Sequence, residues 1–138
     1  MSRLVLDACV ALKTVLIEPD SNVAHALIED FANQIHELIA PDILPVEVGH
    51  ALTRAERQGV IDKGESRILF DQFLDRCPRL FSYDHLIDRA MALSSDLRIG
   101  VFDCLYVALA EKENCMVVTV DRRFLEVFAG LTVPLFDL

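Results

Sequence analysis

Residues 115–120 read CMVVTV, and an aspartate follows at position 121. The run is dominated by Val and Thr, whose branched side chains suit a pleated strand, and it is the clearest strand in the chain. Apolar residues occupy both alternating sets, so both faces of this strand must be covered. A strand of that kind belongs in a parallel sheet with helices on either side, not in a sheet with one face in water.

Working outward, the neighbouring segments fit that frame. Residues 102–114 are helical by composition, with Leu, Ala and Glu dominant, and residues 122–129 predict a short helix. TVPLF (132–136) predicts an edge strand, where a proline is tolerated. In the first half, LVLDA (4–8) and HELIAP (36–41) predict strands, and residues 79–83 predict another. Helices are expected over 9–17, stopped near Glu18-Pro19, and from an Asp20 or Ser21 cap to about Asn33. Three more are expected: from an Asp42 cap to Gly59, over 62–76 before Pro78, and from an Asp84 cap to about Arg98. The prediction is an α/β fold: a three-layer α/β/α domain with a short parallel sheet of four or five strands.

The chain has 138 residues, 53% of them hydrophobic, which fits one packed domain over 1–138. No apolar run approaches the roughly 20 residues of a membrane span. Asp7 and Lys13 interrupt the N-terminal apolar stretch, which makes it a poor signal peptide, so a cytoplasmic protein without a membrane partner is expected. Cys9, Cys77, Cys104 and Cys115 form no C-x-x-C pair, which disfavours a zinc ribbon or redox motif. The net charge of −9 disfavours simple electrostatic binding of nucleic acid. It leaves room for an acidic pocket whose bound cations meet a phosphate.

Four acids stand where a folded chain rarely places them. Asp7 and Asp121 each follow an apolar strand, at the strand ends where ligands sit in parallel sheets. Each is also a plausible cap for the helix that follows. Asp103 lies among Val101, Phe102, Cys104, Leu105, Tyr106 and Val107, a setting that reads as a buried helix, with a cap for a helix starting at Cys104 as the alternative. Glu47 interrupts the buried stripe Leu44, Val48, Ala51, Leu52 and Ala55, unless it lies at the stripe's edge and reaches solvent or an Arg. Like charges gathered in one place need a counter-cation, and Mg²⁺ or Mn²⁺ suits an all-oxygen set. Thr119, two residues before Asp121, either adds a hydroxyl at the pocket rim or is an ordinary strand residue.

LVLDACVALK (4–13), PDILPVEVGHAL (41–52) and VFDCLYVALAEKENCMVVTVDRRF (101–124) together resemble the PIN domain, and within it the VapC-type toxins of prokaryotic toxin–antitoxin pairs. The resemblance spans essentially the whole chain, with the D…E…D…TxD set in the family's order and spacing. It implies a metal-dependent endoribonuclease in which Asp7, Glu47, Asp103 and Asp121 are catalytic and hold one or two Mg²⁺ or Mn²⁺ ions. The ions activate water and stabilise charge at phosphorus, with no covalent enzyme intermediate. It also implies an RNA substrate such as tRNA or rRNA, a homodimer, and inhibition by a small VapB-like antitoxin. Thr119 matches the family's hydroxyl before the last Asp. Cys9 departs from the Ser, Thr or Asn common after Asp7-Ala8, and a thiol there is a weaker donor and a softer ligand. Phe102 stands where Tyr is frequent. Arg122, Arg123 and Lys13 are candidates for phosphate contacts. The competing readings are a housekeeping PIN nuclease for RNA processing without an antitoxin, and a PIN-like binding module that has lost catalysis.

Overall fold

The computed structural model describes residues 2–138. Strand β1 (Ser2–Leu6) leads into helix α1 (Ala8–Lys13) and helix α2 (Ser21–Ala32). Strand β2 (His36–Pro41) is followed by α3 (Leu44–Arg57) and α4 (Glu65–Asp75), and β3 (Arg79–Phe81) by α5 (Ile87–Leu97) and α6 (Val101–Glu113). Strand β4 (Met116–Thr119), α7 (Arg122–Val127) and β5 (Thr132–Pro134) complete the chain, with 3-10 turns at Tyr83–His85 and Leu135–Asp137.

The strands form one parallel sheet in the order β3-β2-β1-β4-β5. Val5, Leu6, Leu38, Ile39, Val117 and Val118 are essentially sealed from solvent, as strands covered on both faces must be. The chain builds outward from β1 in one direction through β2 and β3, then returns to the other side of β1 for β4. The seam between β1 and β4 is therefore the switch point of the sheet. In parallel sheets, such a switch point is where ligands bind, beyond the strands' carboxyl ends. Pro134 lies on the edge strand β5, where its missing N–H removes no ladder bond.

Five expectations are corrected. Helix α1 ends at Lys13 instead of running to 17. The Thr14 hydroxyl donates to the Ala11 carbonyl and competes with the helix ladder, while Pro19 disfavours helix at the residue before it. Asp42 does not cap α3: its carboxylate accepts from the Tyr83 backbone N–H at 3.1 Å and so ties the end of β2 to the end of β3. Asp84 does not cap α5, which begins only at Ile87; Ser82 caps the preceding 3-10 turn by accepting from the Asp84 N–H. Helix α6 begins at Val101, so Asp103 sits inside its first turn and is not its cap. Nor is α6 apolar and covered on all sides, because Phe102 is 58% exposed. From Cys104 to Ala110, however, every residue of α6 is buried.

Candidate active site

The four acids come from four elements around the β1–β4 seam. Leu6 of β1 pairs with Val118 of β4, and the Asp7 N–H donates to the Val118 carbonyl, so Asp7 leaves β1 alongside Thr119. Asp7 occupies the cap position of α1 but makes no side-chain cap bond. Its Oδ2 instead accepts from the Thr119 hydroxyl at 2.6 Å and from the Cys9 thiol at 3.1 Å. The Thr119 hydroxyl also accepts from the Asp121 backbone N–H at 3.1 Å, so one buried oxygen links the first and last acids. Thr119 is thus more than a strand residue, and Cys9 occupies the donor position where a hydroxyl or amide was expected.

Asp121 does two things. One carboxylate oxygen accepts from the Phe124 N–H and caps α7, as the simpler reading foresaw. The same side chain lines a small depression of about 60 Å³ with Asp103, Arg123, Ile99, Gly100 and Phe124. Glu47 is half-buried in the first turn of α3 and reaches neither an Arg nor open solvent as its sole partner. Its Oε1 accepts from the Tyr106 hydroxyl at 2.7 Å. Tyr106 is fully buried on α6, and its role was not foreseen from the sequence, where it read only as an apolar neighbour of Asp103. The available signal was its spacing: residues three apart on a helix share a face, so Tyr106 had to point the same way as Asp103.

The electrostatics follow from this packing. Burial raises the Asp7 carboxyl above its ordinary value against the pull of its hydrogen bonds to Thr119 and Cys9, and Asp121 adds to the rise. Asp103 is pushed up to about 6, first by desolvation and then by the charges of Asp7 and Asp121, with Arg123 pulling the other way. Glu47 is raised by burial and by Asp7 and Asp103, while the Tyr106 hydrogen bond favours its charged form. The Cys9 thiol, buried next to a carboxylate, is pushed up to about 12 and stays a protonated donor. Burial and the Glu47 charge likewise keep the Tyr106 phenol protonated.

These carboxylates feel one another, and three of them are held in a state that an added positive charge would relieve. The donors are all hard oxygens, which suits Mg²⁺ or Mn²⁺ and not a thiophilic ion. Among the described residues, no three such side chains already close on a single point. The donor chemistry of the four carboxylates fits a divalent cation.

The basic candidates separate. Arg123 lines the depression and its guanidinium donates to the Arg98 carbonyl at 3.4 Å. Arg122 is exposed at the start of α7. Lys13 is buried, and its ammonium donates to the Pro19 carbonyl at 2.8 Å, so it closes the turn after α1. Cys104 is buried among core residues with its thiol near the Ile99 carbonyl, a packing role. A surface groove of about 570 Å³ between α3 and α4, lined by Pro45, Val46, Gly49, Phe70 and their neighbours, includes none of the four acids in its lining. No described helix is long and apolar enough to cross a membrane.

Comparison with known proteins agrees with this architecture. The sequence model of the PIN domain matches residues 4–129. A curated protein of Pyrobaculum aerophilum, Ribonuclease VapC3, is 29% identical over 134 residues, covering 96% of this chain and 99% of its own length. Two solved structures share the fold at low identity. VapBC2 from Rickettsia felis, bound to a DNA fragment from its promoter, superposes with a TM-score of 0.71 at 17% identity, over 96% of this chain and 98% of that one. PAE2754 from Pyrobaculum aerophilum superposes with a TM-score of 0.74 at 18% identity, over 99% and 92%.

Proposed function

This chain belongs to the PIN domain family, and from that premise we propose that it is a divalent-metal-dependent endoribonuclease acting as the toxin of a toxin–antitoxin pair. The observation that carries the reading is that Asp7, Glu47, Asp103 and Asp121 lie around the switch point of the sheet, where burial, and then the charges of neighbouring acids, raise the first three. The resemblance to a ribonuclease of the VapC type over nearly the full length of both chains supports the choice of substrate and of the toxin role.

Mg²⁺ or Mn²⁺, held by the four carboxylates, would supply charge neutralisation at the phosphate and acidify an attacking water. The remaining work falls to this chain. Thr119 and Cys9 fix Asp7 through its Oδ2. Asp103, raised in the metal-free chain by burial and then by the charges of Asp7 and Asp121, is a carboxylate that a bound cation would relieve, and the proton of the attacking water leaves to solvent as its oxygen bonds to phosphorus. The P–O bond to the leaving oxygen breaks, and that oxygen gains a proton. Arg123, beside Asp103 and Asp121, offers its guanidinium to a non-bridging phosphate oxygen, with Arg122 beside it at the rim. In a chain of net charge −9, the cation and these arginines are what let a polyanion approach.

A VapB-like antitoxin is the proposed inhibitor, in keeping with the solved VapBC assembly of the same fold. The protein acts as a homodimer in the cytoplasm on this reading. The test is cleavage of total RNA by the purified protein. Mg²⁺-dependent cutting should vanish in Asp7→Ala and in Asp103→Ala, and expression of the parent alone should arrest growth until its small neighbouring protein is supplied. Mutants that cut like the parent would remove the site assignment, and normal growth at high soluble expression would remove the toxin role.

A further inference from the structure

Resting on the cation-site reading above, we infer that Tyr106 is a positioning residue, whose phenol holds the Glu47 carboxylate turned toward Asp7 and Asp103. The two side chains lie 59 residues apart in sequence, and their Oη–Oε1 distance is 2.7 Å. No other hydrogen bond or ion pair holds the Glu47 side chain among the described residues. Glu47 starts from an exposed neighbourhood, with Val46 and His50 at the surface on the same helix. A glutamate has three rotatable bonds and loses substantial freedom when fixed. The charges of Asp7 and Asp103 push it away from the others. Without an anchor, both influences favour a carboxylate that swings to water.

The chemistry of the anchor matters. A lysine or arginine here would hold Glu47 by neutralising it, and would compete with a cation for the same charge. A phenol donates one strong hydrogen bond and brings no charge, so the negative site keeps its strength while one of its walls is fixed. Tyr106 suits that task because its own place is rigid: the ring is fully buried, and it lies three residues after Asp103 on the same face of α6. Glu47 and Asp103, from different helices, are thereby referred to one element.

The chain contains two tyrosines and no tryptophan, which makes the contact observable. Protein labelled with 3-fluorotyrosine should give two fluorine resonances, Tyr106 being assigned as the one absent from Tyr106→Phe. Titration with Mg²⁺ should move the Tyr106 resonance, leave that of exposed Tyr83 in place, and have no effect in Glu47→Gln. Mn²⁺ binding, followed by electron paramagnetic resonance, should weaken about ten-fold in Tyr106→Phe, the scale seen when a group that orients a metal ligand is lost. The double variant Tyr106→Phe/Glu47→Gln should bind no more weakly than Glu47→Gln alone. A Tyr106→Phe protein that binds Mn²⁺ like the parent, or losses that add in the double variant, would overturn the inference while leaving the cation site standing. An unmoved Tyr106 resonance at saturating Mg²⁺ overturns it without recourse to any variant. A parent that binds no Mn²⁺ removes the cation site itself, and this inference with it.

Discussion

At the scale of single residues, the candidate site sets the charge of its acids against their burial. Asp7 is 6% exposed and carries a carboxylate that burial disfavours. Thr119 lessens the penalty by donating to Oδ2, and the same hydroxyl accepts from the Asp121 N–H. A hydrogen bond to a charged group is worth about 1.5–3 kcal/mol. Thr119→Val keeps the shape and removes both bonds, so it should lower stability by about 2 kcal/mol, read as a lower urea midpoint at unchanged m. A midpoint within a few tenths of molar of the parent would mean that the hydroxyl is incidental. Cys9 cannot substitute, because its thiol is the weaker donor on the same oxygen.

At the scale of elements, most of the fold was legible because the central strands β1, β2 and β4 carry apolar residues on both faces and several helices are bounded by Pro, Gly or polar residues. What misled were the aspartates. Asp42 and Asp84 looked like caps, yet the Asp42 carboxylate spans two strand ends and Asp84 lies in a 3-10 turn. A cap motif is local, and a carboxylate goes to whichever backbone N–H the tertiary fold brings nearest. For the same reason the partnership of Tyr106 with Glu47 could not be read along the chain: it joins α6 to α3 across the core. Asp7, Glu47, Asp103 and Asp121 stood out in the sequence because charge in an apolar setting is visible in one dimension. Asp121 was read both as a cap and as a site residue, and the structure gives it the cap bond while setting it beside Asp103. The two roles can be separated. Asp121→Asn retains an oxygen for the Phe124 N–H and should keep stability within a few tenths of a kcal/mol, while Mg²⁺-dependent cleavage is lost. Asp121→Ala should lose cleavage and about 1 kcal/mol of stability as α7 frays. Equal cleavage by Asp121→Asn and the parent would leave Asp121 with the cap role alone.

At the scale of the whole molecule, a chain of net charge −9 folds with several of its acids gathered at one seam, and that choice should appear in its stability curve. Asp103 has an ordinary value of 3.8 and is pushed up to about 6 in the folded state, and Asp7 and Glu47 are raised as well. Between about pH 4 and pH 6 the folded protein therefore binds more protons than the unfolded chain. Stability from these groups is fully present below the unfolded value and is lost as pH rises through the folded one. Glu56 is lowered, chiefly by its hydrogen bond from Ser66, and works in the opposite sense, but it lies at the surface and is screened. In the presence of EDTA, the free energy of unfolding should drop from pH 5 to pH 7.5. Asp103 accounts for about 1–2 kcal/mol of that fall once the solvent that still reaches its carboxylate is discounted. Asp103→Asn should flatten the profile and be the more stable protein at pH 7.5. Adding Mg²⁺ to the parent at pH 7.5 should recover the loss, by about 2.7 kcal/mol at a hundred times its dissociation constant, because only the folded chain brings the four acids together. Urea unfolding at the two pH values, with and without Mg²⁺, decides the matter. A metal-free protein whose stability rises toward pH 7.5, or one indifferent to Mg²⁺ there, would mean that these carboxylates are not the strained, cation-seeking set their burial implies.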